Sequence, residues 1–229
     1  MERKQPHESP PSRASRHPLW LLAGFWACVV ISIAVVIRRL IALIRPSQSG
    51  PPEMAAIDAT FSSHAVLTAA HIIPAAVFVL LAAAVLLRHN ARSEWLERAF
   101  FLFGAITAAT AYAMSSYAIG GWIELSAVLA FNTWFLFSLG RAYWLRSHGD
   151  AARKREWMTR AVGILLGIAT TRPVMGVFFA TSPRTHLGPH QFFGIAFWIG
   201  FSINAVATEL WLHSKRRATL TRFSAQSWA

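Results

Sequence analysis

Long apolar runs, separated by short polar segments, follow one another along this chain of 229 residues. A helix needs about 20 predominantly apolar residues to cross the hydrocarbon core of a bilayer. Six runs meet that requirement and contain few charged residues. They cover residues 19–37, 65–87, 99–119, 122–145, 161–180 and 192–212. The pattern therefore predicts an all-α membrane protein, a bundle of six transmembrane helices.

The segments outside these runs define the predicted domain organisation. Residues 1–17 form a basic tail rich in Pro and Ser, which predicts disorder. Residues 18–213 form the transmembrane domain, and 214–229 form a basic cytoplasmic tail, also predicted to be disordered after Lys215. The longest outer loop is predicted at 46–63. A basic leader before an apolar run is typical of a signal peptide, but Arg38 and Arg39 stand where a small-residue cleavage site would lie, so an uncleaved anchor is favoured.

Composition supports a membrane environment. The chain is 55% hydrophobic and only 14% charged, whereas a soluble domain usually carries about 25% charged residues. Its net charge of +12 raises the possibility of nucleic-acid binding. The Lys and Arg residues, however, lie between the apolar runs, as the positive-inside rule predicts for a membrane protein. We therefore expect the partners to be the lipid bilayer and anionic lipids on the cytoplasmic face, with no nucleic acid.

The distribution of basic residues also predicts an orientation. With the N-terminus in the cytoplasm, the inner segments hold seventeen Lys and Arg residues and the outer segments hold four. Such a bias favours a protein with both termini inside.

Small residues four apart predict close helix packing. Gly163 and Gly167 form such a pair in the fifth run, and Gly104 and Ala108 form a weaker pair in the third. In membranes this spacing lets helix backbones approach closely. It would serve either a homo-oligomer or packing within the chain, and the second is commoner in multi-span proteins.

Five of the six runs place a polar or amphipathic residue at a similar depth, about 9–12 Å from their outer ends at helical rise. Such residues are costly inside a bilayer and are functional candidates. Together they predict an outer-leaflet polar cavity that binds a small anionic, quinone-like or cofactor group. The five residues are His71, Tyr112, Asn132, Arg172 and Trp198.

Arg172 is the most informative of these residues, because its distance to the outer surface is at the limit of side-chain reach. Counted along the helices, Glu124 lies about two turns further out and Glu209 lies near the opposite face. The guanidinium would then need carbonyls, water, an aromatic ring such as that of Trp198, or an anionic ligand. Pro173 follows directly and leaves a carbonyl one turn earlier without its helical donor. The alternative is that these polar residues only hold helices together.

Histidines suggest two further possibilities. His64, His186 and His190 at the outer rim could bind Zn or Cu, although the chain offers no cysteine near them. A b-type haem would need a second axial ligand facing His71, and no other histidine lies at that depth.

The stretch 149–173, GDAARKREWMTRAVGILLGIATTRP, resembles a bacterial family of predicted membrane proteins of unassigned function, domain of unknown function 2306. The matching positions are Arg155, Glu156, Trp157, Met158 and Arg160, followed by Arg172 inside the next helix, and the likeness covers about 65–212. His71, early in an upstream helix, is similar too. The interval 93–98 departs from the family pattern. The resemblance implies a multi-pass protein of the bacterial cytoplasmic (inner) membrane and names no reaction.

Three functions therefore stay open. The leading hypothesis is a polytopic integral membrane protein that binds a small ligand in the outer-leaflet cavity. The alternatives are a structural or partner-binding membrane protein and a b-type haem electron-transfer protein. The sequence contains no P-loop, HExxH motif, paired carboxylates or Ser-His-Asp set, so a hydrolase or an ATPase has little support.

Overall fold

A computed structural model describes residues 19–45, 52–87 and 93–226, with the side chains of 52–54 and 219–226 excluded. These residues form eight α-helices and no strand, which confirms the predicted all-α class. The helices are α1 Leu19–Ile44, α2 Pro52–Ser63, α3 Ala65–Leu87, α4 Glu94–Ser115, α5 Gly121–Ser147, α6 Ala151–Leu165, α7 Gly167–Thr185 and α8 Pro189–Gln226.

Five stretches of helix in the described chain are long and apolar enough to cross a membrane. They are Leu19–Ile44, Ala65–Leu87, Gly121–Ser147, Ala151–Thr185 and Pro189–Ala218. They match five of the six predicted runs. The remaining run corresponds to α4, which is 22 residues long and begins with the charged residues Glu94, Glu97 and Arg98. The fold is compatible with a multi-pass membrane protein.

Large apolar side chains point outward along the bundle as well as inward. Val30, Leu80, Phe137, Val177 and Val206, each from a different spanning segment, are all more than half exposed. Apolar exposure on every side of a protein is costly in water and suits contact with lipid tails.

The core is aromatic and links three neighbouring helices. Phe78 of α3 is fully buried, and its ring centroid lies 4.5 Å from that of Phe100 in α4. The ring of Phe135 in α5 meets Phe78 edge-on at 5.5 Å. α4 thus packs between α3 and α5.

Three segments differ from the sequence prediction. The predicted outer loop contains a helix, α2, which leads into α3 through a turn at His64; residues 46–51 lie outside the described chain. α8 continues to Gln226, although disorder was predicted after Lys215. The fifth predicted span is interrupted at Leu166, where Ala169 N–H donates to the Leu166 carbonyl three residues back. The predicted N-terminal tail lies outside the described residues.

The glycine pair in the fifth run serves packing within the chain. A Cβ added at Gly163 would collide with Thr208 of α8, and one added at Gly167 would lie 2.7 Å from the Phe201 ring. Likewise, a Cβ at Gly104 would lie 2.8 Å from side-chain atoms of Leu139 and Phe78. These contacts confirm the intrachain interpretation of the small residues.

Ion pairs tie the helices together at the opposite end of the bundle from His64. Arg160 of α6 donates from Nε and Nη2 to the two carboxylate oxygens of Glu209 in α8, at 2.6 and 3.0 Å. Lys154 Nζ lies 2.7 Å from the carboxylate of Glu97 in α4. Each of these carboxylates thus has a basic partner within the protein.

Candidate functional site: an outer cavity

A cavity of about 230 Å³ lies in the half of the bundle where α2 meets α3. We call it the outer cavity. All eight helices contribute to its wall, and much of that wall is apolar, including Val79, Phe135 and Phe201. Its polar lining residues are Ser32, Arg39, Thr60, His64, Thr68, His71, Thr107, Ser115, Tyr117, Glu124, Asn132 and Arg172. A mostly apolar pocket with a few converging polar groups is typical of a small-molecule site.

Arg172 has an incomplete set of partners in this cavity. Its Nε is buried and has no hydrogen-bond partner within the part of the chain that the structure describes. Its Nη1 lies 3.8 Å from the sulfur of Met175, which is a weak acceptor. No described carboxylate lies within ion-pair distance of the guanidinium. A buried guanidinium without a strong acceptor is costly, and it is well suited to receive a ligand oxygen.

Glu124 lines the same cavity, which counting along the helix did not predict. The glutamate is 8% exposed, and its carboxylate accepts a hydrogen bond of 2.7 Å from the Gly120 backbone N–H. It is turned inward because α5 begins against α8 at two glycines: a Cβ at Gly120 would lie 2.6 Å from Gly194 N. The carboxylate and Arg172 share one cavity without forming a salt bridge.

Arg39 is the charged residue that α1 contributes to the wall. The sequence placed it in an outer loop, but α1 continues past it and leaves it only 8% exposed. Its guanidinium forms an ion pair with Asp58 of α2 and lies 4.0 Å from the centre of the Phe61 ring. Arg38 Nη2 reaches the same carboxylate at 3.1 Å. These contacts fasten α2 over the outer cavity.

His71 and Asn132 line the cavity as predicted, and each also bonds to a neighbouring helix. His71 Nδ1 lies 3.0 Å from Thr110 Oγ1, and Asn132 Nδ2 donates to the Ala108 carbonyl at 2.9 Å. Both partners are in α4. These residues therefore hold α3 and α5 against α4, and they can offer a ligand only their remaining polar atoms.

Tyr112 and Trp198 lie outside the outer cavity, although the sequence placed them at its depth. The Tyr112 hydroxyl lies 2.7 Å from Thr133 Oγ1 at the outward side of the α4–α5 contact. Trp198 is 38% exposed and donates from Nε1 to Ser126 Oγ at 3.2 Å. Counting along a helix therefore does not determine which residues face the cavity.

The three rim histidines are held by separate contacts. The His64 ring stacks on Tyr117 with centroids 3.6 Å apart, and His190 Nδ1 lies 2.7 Å from the Ile119 carbonyl. His186 adopts a left-handed conformation, φ 55°, at the end of α7. Over 19–45, 52–87 and 93–226, no group of three or more His, Cys, Asp or Glu residues is arranged to hold a metal ion.

The lining residues do not fit a bis-histidine haem. His64 and His71 both line the outer cavity, but both come from the continuous α2–α3 segment. Haem iron takes its axial ligands on opposite faces of the macrocycle, so they should come from facing elements.

Comparisons with family models, with curated proteins and with solved structures found no match.

Proposed function

We propose that the chain crosses a bacterial cytoplasmic membrane six times, with both termini inside, and binds a small ligand in the outer cavity. The packing of α4 between α3 and α5 supports its role as the sixth span, since both neighbours are long and apolar enough to cross. The excess of Lys and Arg on the termini and on two connections supports the orientation.

The ligand class follows from the walls of the cavity. A volume of about 230 Å³ is below the roughly 300–1,000 Å³ typical of drug-sized ligands, so it suits a small molecule or the head of a longer one. The apolar wall favours a flat or aliphatic body, and Arg172 requires an oxygen acceptor. An anionic group or a carbonyl-bearing, quinone-like head meets both conditions.

The single observation that carries this proposal is the unpartnered Nε of Arg172. In the rival interpretation, the polar residues are structural. That interpretation accounts for His71 and Asn132, whose hydrogen bonds join helices. It does not account for Arg172, because an arginine deep in a helix costs about 2.5–3.5 kcal/mol on insertion scales and this one has no strong acceptor in return.

The test is a thermal-shift screen of the detergent-purified full chain with quinones, haem, lipids and small anions. A ligand at 100 times its Kd should stabilise the wild type by about 2.7 kcal/mol. Arg172→Leu should fold with unchanged or higher ligand-free stability and lose that gain. Arg172→Lys should recover only part of it, because an ammonium does not reproduce the planar fork. His71→Ala should also reduce the stabilisation by the ligand, because His71 lines the same cavity.

Arg184→Leu is the matched control, because Arg184 lies in the same helix but is exposed at its outer end. It should bind as the wild type does. Glu124→Gln separates the two ligand classes: losing a negative charge from the cavity should tighten binding of an anion and leave a neutral carbonyl ligand unchanged. The proposal fails if no compound stabilises the wild type while Arg172→Leu is simply more stable.

A further inference from the structure

A second cavity, of about 310 Å³, opens between α1, α6 and α8 at the end of the bundle where the ion pairs gather. We call it the inner groove. α1 makes its main contacts with α2, α3 and α7, so the groove occupies the space where α1 stands away from α8. Its lining includes Trp20, Gly24, Cys28, Arg155, Asn204 and Lys215.

The mouth of the inner groove is cationic. Arg155 and Lys215 are both exposed there, and no Asp or Glu of the described chain lines the groove. Arg155 Nη2 donates to the Leu86 carbonyl at 2.7 Å, which fixes its guanidinium at the end of α3. The Lys215 ammonium lies 4.1 Å from the centre of the Trp211 ring. Two cations positioned at one mouth are complementary to a phosphate.

The remainder of the inner groove is mostly apolar and has the length of one leaflet. On α1 it extends from Trp20 to Cys28, about 12 Å at helical rise. On α8 it extends from Lys215 back to Asn204, about 16 Å. Half of a bilayer hydrocarbon core is roughly 15 Å. A groove of this length, with cations and indoles at one end, matches an acyl chain below a headgroup.

We propose that the inner groove binds an anionic glycerophospholipid, with one acyl chain between α1 and α8 and its phosphate against Arg155 and Lys215. Trp20 and Trp211 lie at the level of the headgroup, where indole rings are favoured. This site is separate from the outer cavity and does not depend on the ligand proposed there. It gives the expected preference for anionic lipids a defined location on the protein.

The experiment is native mass spectrometry of the delipidated full chain in a non-ionic detergent. The titrants are phosphatidylglycerol, phosphatidylcholine with the same acyl chains, and inorganic phosphate. Phosphatidylglycerol should form a one-to-one adduct at lower concentration than either of the others. Since each cation contributes about a fivefold factor, Arg155→Gln/Lys215→Gln should bind it about 25-fold more weakly. The matched control, Arg98→Gln/Arg153→Gln, removes two exposed charges outside the groove and should bind as the wild type does.

A second variant tests the acyl chain independently of charge. Gly24 lines the inner groove and a Cβ there meets nothing within 4 Å, so Gly24→Leu introduces an apolar side chain into the groove and suits a helix. It should weaken phosphatidylglycerol binding while both cations remain. Equal binding by the charge variant, equal affinity for phosphatidylcholine, or binding of free phosphate that Gly24→Leu leaves unchanged would each overturn the proposal. The proposal would also be overturned if the protein formed a dimer that Gly24→Leu dissociates but added phospholipid does not dissociate.

Discussion

The buried arginines of this chain satisfy their charges in three different ways. Arg160 has the carboxylate of Glu209 on Nε and Nη2, although its buried Nη1 has no hydrogen-bond partner in the described chain. Arg39 has Asp58 and the face of Phe61, whereas Arg172 has no carboxylate partner there. The fold accounts for a buried charge that has a partner within the protein, whereas a buried charge without one requires a partner from outside the protein. This contrast between chemically identical side chains makes Arg172 a candidate for ligand binding.

Arg160 and Glu209 should behave as a structural pair. Breaking a fully buried pair costs about 3–5 kcal/mol. Glu209 keeps 28% of its side chain exposed, so we expect Arg160→Met to lower the free energy of unfolding by roughly 2 kcal/mol. Arg160→Met/Glu209→Leu should recover most of that loss, because no charge is then left unpaired. The measurement is the thermal midpoint of each variant in detergent.

Arg98→Met provides the comparison, since Arg98 pairs with Glu94 one turn away and both side chains are well exposed. Its effect should stay within about 0.5 kcal/mol. A double variant no more stable than Arg160→Met would show that the pair does not account for the loss.

At the scale of helices, contacts between backbones determine how the outer cavity is built. The start of α5 and the start of α8 cross at Gly120 and Gly194, and this contact turns Glu124 inward. α2 is held by Asp58, which pairs with both arginines of α1. The cavity therefore depends on one close helix crossing and one ionic clamp.

Gly194→Ala should separate these helix ends. The added Cβ would lie 2.5 Å from Glu124 N, a backbone atom that cannot move alone. Overpacking of this kind costs about 1–3 kcal/mol, more than the roughly 1 kcal/mol that alanine gains over glycine in a helix. We expect a lower thermal midpoint and weaker ligand binding in the outer cavity.

Gly176→Ala in α7 is the matched control, because its Cβ would meet nothing within 4 Å. It should keep or raise the thermal midpoint. If both alanine variants behave alike, the crossing of α5 and α8 is looser than described.

The periodicity and length of the apolar runs predicted most of the helices. Two features of the structure were not predicted in this way. α2 was predicted as loop because it is short and only weakly apolar, although Pro52 at its first position is a signal for a helix start. Arg39 was assigned to a loop because the apolar run ended before it. Both depend on pairing with Asp58, a contact between residues 19 and 20 positions apart that composition does not reveal.

The candidate site was predictable in depth but not in direction. Counting residues from the helix ends brought His71, Asn132 and Arg172 to one level, and all three line the outer cavity. Tyr112 and Trp198 were counted to the same level but do not line the cavity. Which face of a helix meets the cavity depends on the neighbouring helices. Tertiary contacts determine which helices pack together, and counting residues along one helix does not reveal those contacts.

For the whole molecule, the distribution of basic residues makes a prediction about orientation. In a Cys28→Ala background, a single cysteine at Thr185, at the end of α7, should react with a membrane-impermeant thiol reagent added to intact cells. A cysteine at Ala152, at the start of α6, should react only after the membrane is permeabilised. The measurement is labelling before and after permeabilisation.

Reaction at position 152 in intact cells would contradict the proposed orientation. The Cys28→Ala protein without an introduced cysteine is the control for background labelling. The result is independent of whether either cavity binds a ligand.

The break at Leu166 places the two cavities on either side of a single turn of chain. Leu166 lines the inner groove, whereas Leu165 and Ile168 line the outer cavity. The helical ladder is interrupted at this turn, where Ala169 bonds three residues back instead of four. Any occupant of one space that displaces the turn alters the wall of the other. Thermodynamic linkage then requires reciprocity: the factor by which a lipid changes the affinity of the outer cavity equals the factor by which the outer ligand changes the affinity for that lipid.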